Sequence, residues 1–287
     1  MQSRLLTFTN SKGESITFRD DSPFIVSQID GLGDVDADIQ LQKAPYQDGS
    51  TFVDSVLKER SISFTVTILG NGDTDISEKR SRLSRIFNPR LGAGMIEYKY
   101  GDIVRLAEAV SEHVPHFPSG LDNRGSGLQV SLIDLICPNP FWRSPDIEEE
   151  PTFEPLLEFP FEGEFEMGMQ RDKRIIVNDG DAPAPIQIEF FGPAKKPKII
   201  NNTTGEYIKI NQELLEGERM LVNTSDDEKS VYFVSEDGEQ RNVFNWIDLN
   251  STFFKLQIGE NEIEYSADSD IQGAIVNIRY KKLYAAV

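Results

Sequence analysis

Apolar and polar residues alternate with a period of two along much of residues 1–145, which is the pattern of strands with one buried face. The clearest run is Ser61–Leu69, whose apolar residues are Ile62, Phe64, Val66 and Ile68. Turn-forming residues separate six further strands that we predict at Leu5–Thr9, Ser15–Arg19, Phe24–Ile29, Met95–Tyr100, Ile103–Val110 and Leu128–Cys137. This half of the chain is therefore predicted to be mainly β.

One segment, Asp75–Phe87, departs from this alternation. Its apolar residues recur at helical spacing and are Ile76, Leu83, Ile86 and Phe87. Asp75 and Glu78 have the spacing of a capping box, and Asn88-Pro89 is expected to end the helix because proline cannot continue it. The sequence predicts a single amphipathic helix near 75–87 that packs on the sheet.

The second half of the chain also consists of short strand patterns with glycines between them. They are Arg174–Val177, Ile186–Phe191, Tyr207–Ile210, Arg219–Val222, Ser230–Val234, Phe254–Ile258, Asn261–Tyr265 and Ala274–Tyr280. Their number and spacing indicate an antiparallel sandwich or jelly roll.

Charge and proline content divide the chain near Pro145. Residues 1–145 carry 15 basic and 19 acidic residues, whereas residues 146–287 carry 14 and 29. Residues 146–166 hold nine acidic residues, three prolines and no lysine or arginine, so they are expected to be extended. We therefore predict a first domain at 1–145, an acidic linker or arm at 146–170 and a second domain at 171–287.

The net charge of −19 argues against nucleic-acid binding, because an acidic surface repels phosphates. The beginning of the chain has no apolar core of a secretory signal, and no apolar stretch is long enough for a bilayer. The single cysteine, Cys137, cannot form an internal disulfide. We expect a protein without membrane insertion that is made in the cytoplasm.

Residue types that enzymes use are scarce. His113 and His116 are separated by Val114-Pro115, which disfavours a helix, and no cysteine or carboxylate cluster completes a metal site near them. Cys137 ends an apolar strand and is expected to be a buried, inert thiol. The sequence holds no phosphate-binding glycine loop and no nucleophile elbow. We expect no catalytic residues, no cofactor and no metal.

Three carboxylates, Asp34, Asp36 and Asp38, alternate in sequence. Calcium loops begin in this way, but Ile39 stands where such a loop needs glycine and Pro45 where it needs glutamate. If the segment is a strand, the three carboxylates share a face. The simpler interpretation is a solvated edge, and the alternative is the wall of a water-filled channel through which DNA passes without sticking.

Two further groups of residues are candidates for recognition. The basic helix residues Lys79, Arg80, Arg82 and Arg85 are either solvated surface or a contact with a neighbouring subunit. In the second half, Trp246 and the Phe253-Phe254 pair either fill the core, which is the usual place for aromatic residues in a sandwich, or form a sugar-stacking platform.

Several motifs in a fixed order resemble the siphophage distal tail protein family. In the first half they are the Asp48-Gly49 turn, the strand opened by Arg60, the helix that ends at Asn88-Pro89 and the exit from Pro138 to Trp142. In the second half they are NDGDAPAPIQIEFFGPAKKPKIIN, ELLEGERMLVNT, STFFKLQIGENEIEY and IVNIRYKKLYAAV. The resemblance covers nearly the whole chain, and the acidic linker is its least distinctive part.

The resemblance implies a mainly β protein with a tail-tube-like first domain, which is a sandwich or barrel with one helix, and a galectin-like second domain. It also implies a homo-hexameric ring at the distal end of the tail tube, which acts as the hub of the tail tip. The implied partners are the tail tube protein, the tail-tip proteins and the receptor-binding or adhesion proteins, with DNA passing through the ring. The implied location is the virion, after assembly in the host cytoplasm.

Two other classes of function stay open at this point. One is a carbohydrate-binding sandwich module of a cell-wall or adhesion protein, for which Trp246 is the main support. The other is a glycosidase, since paired carboxylates hydrolyse glycosidic bonds and acidic residues abound. Family members with sugar-binding modules carry long insertions in the second domain, and this chain has no room for one, so host recognition is expected to lie with a partner.

Overall fold

The computed structural model describes residues 4–145, 147–149, 172–268 and 275–287. The chain forms two compact units, one of residues 1–145 with 284–287 and one of residues 146–283. The second domain was expected to run to residue 287. Its last four residues instead belong to the first unit, because Tyr284 packs against the first core and the Ala285 carbonyl accepts a hydrogen bond from Arg60.

The first unit contains the following elements in chain order. They are β1 (Arg4–Thr9), β2 (Ser15–Phe18), β3 (Phe24–Asp30), β4 (Ala37–Gln42), β5 (Thr51–Leu57), β6 (Arg60–Leu69), α1 (Asp73–Ile86), a 3-10 turn (Pro89–Leu91), β7 (Gly94–Tyr100), β8 (Ile103–Ser111), β9 (Arg124–Gly125), β10 (Leu128–Cys137) and β11 (Trp142–Arg143).

Seven of these strands form the body of the first unit, in the antiparallel order β2-β1-β7-β8-β10-β6-β3. Arg19 follows β2 and exchanges backbone hydrogen bonds with Phe24 and Val26, so the first and last strands of the sheet meet as in a barrel. The alternation predicted for Ser61–Leu69 is confirmed, since its four apolar residues are buried. Phe87 continues this core and stacks on Phe8.

The second unit contains the following elements. They are β12 (Ile147–Glu149), β13 (Asp172–Asn178), β14 (Ile186–Phe191), β15 (Ala194–Lys195), β16 (Lys198–Asn201), β17 (Glu206–Lys209), β18 (Glu213–Leu214), β19 (Arg219–Asn223), β20 (Ser230–Val234), β21 (Gln240–Asn242), a 3-10 turn (Phe244–Trp246), β22 (Gly259–Ser266) and β23 (Val276–Tyr280). A last short strand, β24 (Leu283–Tyr284), lies where the chain returns to the first unit.

Two antiparallel sheets enclose the second core. Their orders are β12-β23-β14-β19-β20-β21 and β13-β22-β16-β17, and buried side chains from both, such as Phe190 and Ile263, form one apolar cluster. The sandwich predicted for this half is confirmed. Of the acidic segment expected at 146–170, residues 147–149 form β12 beside β23, and the others lie outside the described residues.

Local differences from the predicted elements have identifiable causes. The helix begins at Asp73 after Gly72, and no side chain caps it. The capping box was wrong, because the Asp75 carboxylate accepts hydrogen bonds from the Asn71 backbone and the Lys79 ammonium instead. The strand predicted at Phe254–Ile258 is also absent. Its Leu256 forms one isolated bridge, to Ala184.

None of the described helices is both long and apolar enough to cross a membrane.

Candidate functional site

The strands β4 and β5 form a hairpin that pairs with no other strand in the described part of the chain. Every residue of both strands is exposed. The large apolar side chains exposed on this hairpin are Ile39, Leu41, Tyr46, Phe52, Val53, Val56 and Leu57. An apolar surface of this kind on a two-stranded ribbon is typical of a segment that another molecule covers.

Both faces of the hairpin carry apolar groups. Directly paired residues share a face of the ribbon, so Phe52 lies with Leu41 and Ile39 on one face, and Val56 lies with Asp38 on the other. A β-bulge at Val53 breaks the alternation of β5 between them. Phe52 is 61% exposed and Val53 is 55% exposed. The described part of the chain therefore leaves both faces exposed.

The tip of the hairpin is an ordered turn. The Gln47 side chain accepts a hydrogen bond from the Ala44 backbone at 3.0 Å and donates one to the Thr51 hydroxyl at 3.2 Å. Tyr46 is fully exposed beside it and has a φ of 64°, a left-handed conformation that non-glycine residues seldom adopt. The turn thus presents a tyrosine side chain to solvent.

The root of the hairpin, which consists of residues 31–36 and 58–61, is held close to the rest of the first unit. The Lys58 amide donates to the Asp36 carbonyl at 2.9 Å, which closes the two arms. Gly31, just after β3, has a φ of 89°, and a Cβ atom there would lie 1.9 Å from the Ser61 carbonyl oxygen. Only glycine fits this close backbone approach.

Arg60 is the buried charged group at this root, with 1% of its surface exposed. Its Nε donates to the Pro140 carbonyl at 2.8 Å, its Nη1 to the Gly31 carbonyl at 2.7 Å and its Nη2 to the Ala285 carbonyl at 2.5 Å. Burial lowers the pKa of Arg60, but an arginine begins so high that it stays charged. The guanidinium therefore joins three segments of the first unit.

The three candidate channel residues do not share one strand face. Asp34 and Asp36 precede β4, which begins at Ala37, so only Asp38 lies in a strand. The condition under which all three would point the same way is therefore not met. All three side chains are exposed near the root of the hairpin.

The basic residues of α1 contact their own unit. Lys79 donates to the Leu69 carbonyl at 2.8 Å, and Arg80 lies over the Phe117 ring. Arg82 donates to the Ser15 carbonyl at 3.3 Å, and Arg85 pairs with Glu14. Each of the four cations has an intramolecular partner, which reduces the charge that this face offers to another subunit.

In the second unit, Trp246 and Phe254 have different environments. Phe254 is buried in the core, whereas Trp246 lies in the 3-10 turn and is 39% exposed. The core interpretation is right for Phe254 and wrong for Trp246. Near it in sequence, the exposed Phe244 stacks on Phe253, with ring centroids 5.7 Å apart.

The described residues contain no group of histidine, cysteine and carboxylate side chains that could hold a metal. His113 contacts the Asp134 carboxylate at 2.9 Å, a surface pair. Cys137 is buried, as expected, and burial raises its pKa to about 11, so it is no nucleophile at neutral pH.

The sequence patterns missed the β4–β5 hairpin as a pair of strands. The signal was the Asp48-Gly49 turn between two apolar runs, with Gly49 at a φ of 73°. The β5 sequence does not alternate, because a β-bulge inserts Val53 between Phe52 and Asp54.

Comparison with known proteins gives two family matches. Residues 11–128 match the phage tail protein RIFT-related domain, and residues 179–284 match the C-terminal domain of the siphovirus-type tail component. The first match includes the β4–β5 hairpin and Arg60. No curated protein matches the chain.

Solved structures share this fold over nearly the whole chain. One is the Dit protein of phage SPP1, described as a hub of the adsorption apparatus in phages that infect Gram-positive bacteria. Its TM-score is 0.67 at 14% sequence identity, and the match covers 97% of this chain and 98% of the Dit chain. A chain of the phage P2 baseplate in its activated conformation with Ca has a TM-score of 0.54 at 12% identity, with 98% of each chain covered.

Proposed function

We propose that this chain, which belongs to the siphophage distal tail protein family, forms a hexameric ring at the distal end of the tail tube. As a member of that family it is a structural component of the phage tail. The ring would act as the hub to which tail-tip and adhesion proteins attach, and it would be assembled in the host cytoplasm. The observation that carries the proposal is the β4–β5 hairpin with apolar side chains on both faces.

A second copy of the chain is the partner that suits this hairpin. An isolated two-stranded ribbon is marginally stable in water, so the hairpin gains stability when another subunit covers it. Contact between the hairpin of one copy and a different surface of the next is head to tail, and such contacts form a ring when the rotation from copy to copy closes. The number six comes from the family resemblance alone.

The surface charge suits a ring that conducts DNA without binding it. Asp34, Asp36 and Asp38 are exposed at the root of the hairpin, and the whole chain has a net charge of −19. Carboxylates along a channel wall repel phosphates and so reduce sticking. We expect replacement of all three by lysine to slow DNA ejection from assembled particles. Lysine at the exposed Glu213, Glu216 and Glu239 of the second unit is the control.

Sedimentation velocity of the purified protein tests the ring. The wild type should associate as concentration rises, and Phe52→Asp should weaken this at least about tenfold, because a central apolar contact becomes a buried charge. Leu249→Asp alters a fully exposed leucine outside the hairpin and should leave association unchanged. A wild type that stays monomeric even with tube and tip proteins present would contradict the proposal.

Carbohydrate binding by the second unit is the second candidate function. The observation that favours it is the exposed indole of Trp246 near the exposed Phe244, since sugars stack on such rings. Glycan-array binding that Trp246→Ala abolishes would support it. An array without any bound glycan would count against it.

A further inference from the structure

Residues 284–287 complete the first unit, although they follow the whole second unit in the chain. The Tyr284 ring packs against the first core and lies 3.7 Å from the Arg105 guanidinium. The Ala285 carbonyl accepts the Arg60 hydrogen bond. A Cβ atom added to Gly33 would lie 3.4 Å from the Cβ atom of Ala286, so residues 284–287 also approach the root of the hairpin.

The same guanidinium holds this segment and the root of the hairpin. Arg60 binds the Gly31 carbonyl through Nη1 and the Ala285 carbonyl through Nη2. If residues 284–287 were undocked, Nη2 would lose this protein acceptor in a site where a lost hydrogen bond is costly. Water that replaced the Ala285 carbonyl would also reach the hydrogen bond between Arg60 and the Gly31 carbonyl.

We propose that residues 284–287 are an assembly gate, whose docking on Arg60 fixes the root of the β4–β5 hairpin and so presents the hairpin to a neighbouring copy. Because the ribosome makes this segment after residues 146–283, a chain cannot enter the ring before its second unit has been synthesised. Incomplete chains are thereby kept out of the hub. This inference rests on the proposed function, since it assumes that the hairpin is the contact between subunits.

The test uses the full chain with Trp246→Phe, which leaves Trp142 as the sole tryptophan. One variant ends at Leu283, and a second, Tyr284→Ala, keeps the chain length. The control lacks only Val287, which is exposed. Hydrogen exchange is followed at residues 31–36 and 58–61, and association is followed by sedimentation velocity.

We expect both variants to exchange the root amides, including that of Lys58, about tenfold faster than the wild type. Trp142 emission should shift to the red, and association should weaken about tenfold. Exchange in β14 and β19 should stay unchanged, which would show that the second unit remains folded. The control should behave like the wild type.

Failure of the gate and failure of the proposed function give different results. Root amides as protected in both variants as in the wild type would overturn the gate, and so would undiminished association of the variants. A wild type that never associates would instead overturn the proposed function. Tyr284→Ala keeps the test decisive if the shortened chain does not fold.

Discussion

The guanidinium carbon of Arg60 lies 5.5 Å from the centre of the Trp142 ring, and both side chains are buried. The Trp142 Nε1 donates to the Leu32 carbonyl at 3.1 Å, one residue after the Gly31 carbonyl that Arg60 binds. A cation and the face of an indole attract each other more strongly when water is excluded. The two residues together therefore fix the segment from which the hairpin departs.

Replacing Arg60 with methionine should destabilise the first unit by about 3 kcal/mol or more, because three carbonyls lose a charged donor. Methionine fills similar space but cannot donate to the buried Gly31 carbonyl or to the half-buried carbonyls of Pro140 and Ala285. Urea unfolding followed by Trp142 fluorescence in the Trp246→Phe background measures it. Arg4→Met, which removes an exposed pair with Asp20, should cost less than about 1 kcal/mol. Equal losses for the two variants would contradict this account of Arg60.

Gly31→Ala should destabilise the first unit by about 3 kcal/mol or more, since the new methyl group meets the Ser61 carbonyl in addition to the strained φ. Gly49 also has a positive φ, but a Cβ atom added there would meet no other atom within 4 Å. Gly49→Ala should therefore cost only about 1 kcal/mol from φ strain alone. Thermal unfolding of both variants separates the clash from the strain, and similar shifts would show that the close approach is unimportant.

The Cys137 thiol should resist modification in the folded protein. Burial raises its pKa to about 11, so the thiol is protonated at pH 8, and burial also keeps the reagent from reaching it. Ellman's reagent should find one thiol only after denaturation. A Leu121→Cys variant adds a thiol at a fully exposed position and should react at once. Fast reaction of the wild type would mean that the end of β10 opens readily.

His113 should make a small contribution to stability that depends on pH. Its pKa is raised by the hydrogen bond to the Val114 carbonyl, against an opposing effect of burial, and is raised further by Asp134. The contribution is therefore complete below about pH 6.5, the usual value in an unfolded chain, and is lost as pH rises through the higher folded pKa. It should stay below about 1 kcal/mol, because the pair is exposed.

NMR titration of the His113 ring measures this shift. Asp134→Asn should lower the His113 pKa towards that of an unfolded chain. A His113 pKa at or below the unfolded value would contradict the predicted direction.

The sequence predicted the strands whose apolar face is buried in the core of their own unit. β6 and β10 alternate because one face of each meets the first core, and β10 was predicted with the bounds that it has. The pattern missed β5, since a β-bulge at Val53 breaks its alternation and none of the described residues buries its apolar side chains. The alternation of Phe254 and Leu256 predicted a strand that is absent. Both side chains are buried, but the segment has only one isolated β-bridge, between Leu256 and Ala184.

The root of the hairpin could not be predicted from local patterns. The acceptors of Arg60 are 29, 80 and 225 residues away in sequence, so no window of the chain contains the site. An arginine at the start of an alternating strand ordinarily indicates an exposed end. Trp246 was misplaced for a similar reason, since composition favours a buried tryptophan and only the tertiary position of the 3-10 turn exposes it.

The position of β22 in the second sheet has a consequence for folding kinetics. This strand lies between β13 and β16, and its Tyr265 pairs with both Asp172 and Ile199. The central strand is thus among the last to be synthesised. Until it has been made, the edges of β13 and β16 that pair with it are unpaired. Folding through such distant pairings takes milliseconds to seconds and exposes edges that aggregate. Slow expression at low temperature should therefore raise the yield of soluble protein.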